Sequence, residues 1–178
     1  MYLSGDQRLN RVLPQTLHAI PGGAAGIRAT LKVMARLARD GSRNPLVRQF
    51  TQTLVQGLPQ KDRIGEIRTV GEFVRDSIRY VRDPLGTELV QSPDATMRLK
   101  SGDCDDKVTL TGAMLLSIGH PVRFIAIGFS PGAFSHVFLE TRIHRKNGGY
   151  PWMAVETTEP WPIGRAPVGF TTKMIQDV

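Results

Sequence analysis

The spacing of apolar residues changes near the middle of the chain, and this change constrains the fold more than any other feature. Before Gly119, apolar residues recur every three or four positions, as in 27–39, which is the period of an α-helix. After it, three short runs at 122–129, 135–143 and 150–157 have the composition of β-strands. Helices followed by consecutive strands predict an α+β fold, in which the last helix leads into an antiparallel sheet.

Capping residues mark the boundaries of the other predicted helices. Asn44 followed by Pro45 is typical of an N-cap and a first helical position. Asp62 is placed to cap a third helix, which Asp83 and Pro84 would stop. The predicted helices are 27–39, ended by Asp40-Gly41-Ser42, then 44–56, 62–82, a short one near 93–99, and a buried one at 104–118. We interpret 1–24 as an extended arm, Gly22–Gly26 as a flexible hinge and the proline-rich stretch after Glu159 as an extended tail.

The composition is that of a globular protein. The chain has 178 residues, of which 40% are hydrophobic and 22% charged, enough for one ordinary domain. Apolar runs are too short to span a membrane, and the polar N-terminus lacks a signal-peptide core. A single cysteine rules out an internal disulfide. We therefore expect synthesis in the cytoplasm.

Positive charge is concentrated in the first third of the chain. The net charge is +7, and between Arg8 and Arg48 eight basic residues face one acid, Asp40. This region is either a solvated helix face or a binding surface for an acidic partner, nucleic acid or protein. We divide the chain into a basic helical extension, 1–60, and a core with its tail, 61–178, and expect the two to form one compact unit.

Cys104 lies where a loop turns into the helix predicted at 104–118. A thiolate at a helix N-terminus faces unpaired backbone N–H groups and the positive end of the helix dipole, which lower its pKa. The same N–H groups can bind a developing oxyanion. Asp103, Asp105 and Asp106 oppose thiolate formation, so a cation must compensate. Cys104 is therefore a candidate nucleophile, with a small buried apolar residue as the alternative.

The candidate base is His136, one of four histidines, at the start of the second predicted strand. If 145–147 form a three-residue hairpin loop, His136 stands directly across from Glu156. Glu156 could then hold one imidazole nitrogen and leave the other for the cysteine sulfur. The alternatives are an exposed histidine and an ordinary cross-strand polar pair.

Five segments together resemble the transglutaminase-like superfamily. They are IRYVRDP at 78–84, SGDCDDK at 101–107, LSIGHPVR at 116–123, SHVFLE at 135–140 and WMAVETT at 152–158. The chain order of cysteine, histidine and acid matches that superfamily, which usually has aspartate where this chain has Glu156. More loosely, the whole chain is similar to short transglutaminase-like proteins encoded in tailed phages and prophages.

The resemblance implies acyl transfer on a peptide or carboxamide bond through Cys104, His136 and Glu156, with release of the acyl group to water or to an amine. A protein or peptide would be the substrate. Gln91 is a candidate second donor to the oxyanion, or an ordinary loop amide. A second class of function is open: a structural or assembly protein of a phage virion that binds phage structural proteins and uses the same fold as a scaffold.

No metal or cofactor is expected. Two histidines at 136 and 144 with one cysteine lack the close paired spacing of structural zinc sites.

Overall fold

The computed structural model describes residues 23–83, 89–143 and 149–178. The helices in these ranges are α1 (Gly23–Arg43), α2 (Pro45–Val55), α3 (Arg63–Ser77), α4 (Pro93–Leu99) and α5 (Cys104–Ser117). The strands are β1 (Arg79–Tyr80), β2 (Ser101–Gly102), β3 (Val122–Gly128), β4 (His136–Arg142), β5 (Trp152–Val155) and β6 (Thr172–Asp177). Five helices and an antiparallel sheet confirm the predicted α+β class.

The predicted caps of α2 and α3 are confirmed. The Asn44 side chain accepts a hydrogen bond from the N–H of Leu46 at 2.9 Å, and Pro45 is the first helical residue. Asp62 accepts from the N–H of Gly65 at 2.9 Å. Each cap satisfies a backbone N–H group that has no partner within its own helix.

Helix α1 is longer than predicted at both ends. It begins at Gly23, so the predicted hinge was wrong over 23–26, while the rest of the predicted arm lies outside the described residues. It also continues through Asp40-Gly41-Ser42, which we expected to end it. Gly41 is buried, and a Cβ atom there would lie 2.5 Å from Cγ of Pro93. The glycine therefore permits close packing of α1 on α4 instead of ending the helix.

Helix α3 is shorter than predicted. It ends at Ser77, and the chain continues as β1, which pairs in parallel with β2. The register places Tyr80 opposite Gly102. The apolar spacing that suggested a helix as far as residue 82 was therefore misleading beyond Ser77.

The four-stranded sheet has the order β5-β4-β3-β6, with every neighbouring pair antiparallel. Arg142 pairs with Trp152, so continuing the register places Phe138 across from Glu156. The predicted register, which placed His136 there, was wrong by two residues. The hairpin loop it was built on falls within 144–148, outside the described residues. Because a shift of two preserves the face of a strand, His136 and Glu156 still lie on one side of the sheet.

The tail after Glu159 returns across the domain. Arg75 of α3 donates to the carbonyl oxygen of Trp161 at 2.9 Å, and Phe170 packs on an apolar cluster of the sheet centred on Ile125 and Phe138. The tail then forms β6, which pairs with β3. This last strand was not predicted, since it follows a proline-rich stretch.

Helix α5 lies at the centre of the core. Every residue from Asp106 to Leu115 is buried, and the helix contacts α1, α2, α3, α4 and the sheet. A helix that is covered all round needs no polar face, which explains its weak amphipathic pattern. The first residue of this buried helix is Cys104.

The basic side chains of α1 lie on its exposed face. They are Arg28, Lys32, Arg36, Arg39 and Arg43. Among the residues that the structure describes, no helix combines the length and apolar character needed to cross a membrane.

Candidate active site

Two aspartates fix the start of helix α5. The Asp103 side chain accepts hydrogen bonds from the N–H groups of Asp105 and Asp106, at 3.0 and 3.3 Å. The Asp106 carboxylate in return accepts from the N–H of Asp103 at 3.3 Å, which completes a reciprocal capping box. The backbone at Cys104 is therefore held in place from both sides.

The Cys104 thiol is partly exposed and lies between an acid and a backbone donor. Its sulfur is 3.5 Å from Oδ1 of Asp105, and the N–H of Val137 donates to it. Burial, then Asp105 and Asp103, raise the pKa of this thiol, and the Val137 bond only partly offsets them. The low pKa that we expected from the helix N-terminus is therefore wrong for the resting thiol.

His136 and Glu156 form a close pair. Nε2 of His136 lies 2.7 Å from Oε2 of Glu156, whose side chain is fully buried. A carboxylate can only accept, so Nε2 carries the proton and Nδ1 remains available as a base. The N–H of Val137 donates to the Cys104 sulfur. His136 is the residue immediately before Val137 in strand β4.

Thr158 holds the other oxygen of the Glu156 carboxylate. Its N–H and its hydroxyl both donate to Oε1, at 2.7 and 2.6 Å. Burial by itself raises the pKa of Glu156, but the bonds from His136 and Thr158 outweigh it and hold the pKa below its ordinary value. Glu156 therefore stays a carboxylate at neutral pH, in an orientation fixed by three hydrogen bonds.

Gln91 lies beside the start of α5, with its donors directed at Asp106. Its N–H and its Nε2 donate to the two oxygens of Asp106, each at 2.7 Å, and Nε2 is also 3.5 Å from the carbonyl oxygen of Ser101. Burial raises the pKa of Asp106 to about 7. These contacts support a role for Gln91 in holding its loop against α5, while its role as an oxyanion donor stays a prediction.

Lys107 is a buried cation one helical turn after Cys104. Its side chain is almost fully covered, and its Nζ donates to the carbonyl oxygens of Ile78 and Arg75, at 2.8 and 3.2 Å. These carbonyls lie at the C-terminal end of α3, where a positive charge is favourable. Burial lowers the pKa of Lys107 to about 8, although Glu156 and Asp76 act in the opposite direction.

Replacing Lys107 by methionine should change how stability depends on pH. The folded pKa lies below the unfolded value of 10.5, so charging the buried lysine costs folding free energy below pH 8. That cost disappears as the pH rises towards 10.5, and wild type should gain about 2 to 3 kcal/mol relative to Lys107→Met over this interval. Urea unfolding at several pH values measures the difference. The exposed Lys32→Met is the control, and parallel curves for wild type and Lys107→Met would contradict the assignment.

The other described histidine, His120, is paired elsewhere. Its Nε2 lies 2.7 Å from Oε2 of Glu66, and the ring is almost fully buried. Two further histidines of the sequence, 18 and 144, lie outside the described residues. Of the described histidines, His136 is therefore the one whose neighbour contacts Cys104.

One grouping in the described part of the chain has enough ligand atoms for a metal ion. Ligand atoms of Asp103, Cys104 and Asp105 lie within 4.8 Å of one another. Asp103 caps the helix and Asp105 lies against the thiol, so both carboxylates already have structural roles. We assign no metal to them.

Comparison with known proteins identifies the family. The sequence profile of the transglutaminase-like superfamily matches residues 48–157, more than half of the chain. The chain therefore belongs to the transglutaminase-like superfamily. No curated protein gives a match.

Two solved structures share the fold. One is a candidate protease from Parabacteroides distasonis ATCC 8503, with a TM-score of 0.53 and 12% identity, over 78% of this chain and 32% of that one. The other is a candidate cysteine protease from Cytophaga hutchinsonii, with a TM-score of 0.50 and 16% identity, over 66% of this chain and 37% of that one. This chain thus spans about a third of either of these proteins, and the likeness shows the fold alone.

Sequence reasoning missed three contributors to the site. The N–H of Val137 has no signature in the sequence, because any residue could supply it. Lys107 had a signal that we did not use, since a lysine within an otherwise apolar helix needs a buried partner. Thr158, two residues after Glu156, is the third, and the pattern of an acid followed by threonines already contained it.

Proposed function

We propose that the protein is a cysteine enzyme that transfers the acyl group of a peptide or carboxamide through Cys104, His136 and Glu156. The observation that carries the proposal is the 2.7 Å contact between His136 and a buried Glu156. His136 is adjacent in sequence to Val137, whose N–H donates to the Cys104 sulfur. A nucleophile, a base and an orienting acid in this arrangement support nucleophilic catalysis.

The raised pKa of the thiol defines the first step. Cys104 starts as a protonated thiol, so its proton passes to Nδ1 of His136 as the sulfur attacks the carbonyl carbon. The carbonyl electron pair moves to oxygen, where the N–H of Cys104 at the helix start can donate to it. The C–N bond then breaks, and the departing amine takes the proton from His136. Water or an amine finally attacks the thioester and gives a proton to His136, and the sulfur leaves and takes that proton back as a thiol.

The single cysteine makes this mechanism directly testable. We expect the protein to form an adduct of one acyl group with p-nitrophenyl acetate that hydroxylamine removes, as it does a thioester, and Cys104→Ala to form none. Intact-mass spectrometry measures the adduct, and added glycine ethyl ester distinguishes transfer to an amine from hydrolysis. A wild-type protein without a hydroxylamine-sensitive adduct would refute the proposed function.

A second candidate is a structural or assembly protein that uses this fold with weak or no catalysis. The raised pKa of Cys104 favours it, because a thiol without an effective base reacts slowly. A phage or prophage origin, assembly into a virion and contact with phage structural proteins remain predictions. The exposed basic face of α1 likewise supports an acidic partner only as a prediction.

A further inference from the structure

Strand β1 brings a large side chain beside the proposed nucleophile. Tyr80 is 42% exposed and pairs with Gly102, two residues before Cys104. Single exposed apolar residues are common, so exposure alone carries no argument. The argument for a role of Tyr80 comes from the direction of its main-chain groups and from the position of its ring.

The main chain of Tyr80 points away from β2. The N–H of Arg79 donates to Lys100 at 2.9 Å, and the N–H of Val81 donates to Gly102 at 3.0 Å. Main-chain groups of successive residues in a strand point to alternate sides, so the N–H and C=O of Tyr80 point to the opposite side. Within the described ranges, β2 is the one strand that pairs with β1.

That opposite side faces helix α5. The carbonyl oxygen of Ile78, two residues before Tyr80 and on the same side of the chain, accepts from Nζ of Lys107. β1 and β2 run parallel, and Tyr80 pairs with Gly102, so the step from Ile78 to Tyr80 follows the direction in which β2 leads to Cys104.

The electrostatics of the Tyr80 ring agree with this placement. Burial of the hydroxyl raises its pKa most, and the nearby charge of Cys104 raises it further, while a hydrogen bond with Arg82 lowers it. The hydroxyl is thus within electrostatic range of Cys104, while the side chain still reaches solvent.

We propose that Tyr80 binds the substrate, that its main-chain N–H and C=O pair with one residue of an extended polypeptide, and that its ring packs on a large apolar side chain of the residue before the one that carries the acyl carbon. The inference rests on the proposed function and narrows its substrate to an extended peptide. An exposed strand offers such a peptide the hydrogen bonds of an added strand.

Peptidyl chloromethyl ketones test the proposal, since the sulfur displaces chloride to form one C–S bond without turnover. The reagents are acetyl-Phe-Gly-chloromethyl ketone, its Gly-Gly analogue, and two forms of the Phe reagent, each N-methylated at one amide. Each rate is divided by the iodoacetamide rate of the same protein. We expect Phe to exceed Gly by about 5- to 10-fold, and one of the N-methyl groups to slow labelling about 5- to 10-fold.

In Tyr80→Ala the preference for Phe should disappear, while Ile175→Ala, which truncates another exposed apolar residue, should keep it. An unchanged preference in Tyr80→Ala, or wild-type labelling that neither N-methyl group slows, would overturn the inference. If Tyr80→Ala fails to fold, the labelling rates of wild type with the two N-methylated reagents decide whether main-chain pairing occurs. Failure of the proposed function is distinct, because iodoacetamide labelling would then be insensitive to His136→Ala.

Discussion

Replacing His136 by alanine should slow the reaction of Cys104 with iodoacetamide at pH 7 by about 100-fold or more. The thiol is partly buried, and Asp105 and Asp103 raise its pKa further, so without a base almost none of it is ionised at neutral pH. In the proposed mechanism the imidazole of His136, which Glu156 contacts at 2.7 Å, accepts the proton. The rate is measured by intact-mass spectrometry of the single-cysteine protein.

The chain provides a matched control for this variant. His120 also contacts a glutamate at 2.7 Å, but it lies beyond the far end of α5, a helix of 14 residues and about 20 Å in length. We expect His120→Gln to lower stability through loss of a buried contact, yet to leave the iodoacetamide rate unchanged. Equal rates in wild type and His136→Ala would show that the histidine does not activate the thiol, and would favour the scaffold role.

Replacing Gly128 by alanine should destabilise the fold by at least about 4 kcal/mol. Gly128 ends β3, and a Cβ atom there would lie 1.5 Å from the carbonyl oxygen of Ala133. That oxygen belongs to the backbone, so no side-chain rotation can relieve the overlap. The loop between β3 and β4 must move instead, and it leads directly into His136. Thiol reactivity should therefore fall together with stability.

Thermal unfolding tests this prediction, with Gly57→Ala as the comparison. Gly57 lies after α2, and a Cβ atom there would meet nothing within 4 Å. We expect Gly57→Ala to be neutral or to stabilise by about 0.5 kcal/mol, because alanine restricts the unfolded chain. A melting temperature for Gly128→Ala that equals that of wild type would mean that Gly128 and the backbone of Ala133 do not approach each other this closely.

The fold was predictable where a local signal decides the structure. Asn44 and Asp62 marked the starts of α2 and α3, because a side-chain cap acts within three residues. Gly41 misled us because its reason is tertiary: it accommodates Pro93, which is far away in the sequence. Strand β6 was missed for the same reason, since its partner β3 is distant along the chain and turn-forming residues precede it.

The site shows the same division between local and distant causes. Parity along the strands was enough to place His136 and Glu156 on one face, although the register was wrong by two residues. The behaviour of the thiol could not be predicted from the helix N-terminus alone. The opposing effect of Asp103 and Asp105 was visible in the sequence, but burial, which raises the pKa of the thiol most, depends on the finished packing.

The strand order has a practical consequence for engineering. β6 lies two strands from β4, about 10 Å, and β3 separates the two. An affinity tag or a fused module added along the free edge of β6 would therefore leave the imidazole of His136 in place. The border formed by β5 offers no such freedom, because Glu156 follows its last residue and Gly164 already bonds to Ala154 there. Fusion partners belong on the β6 side of the molecule.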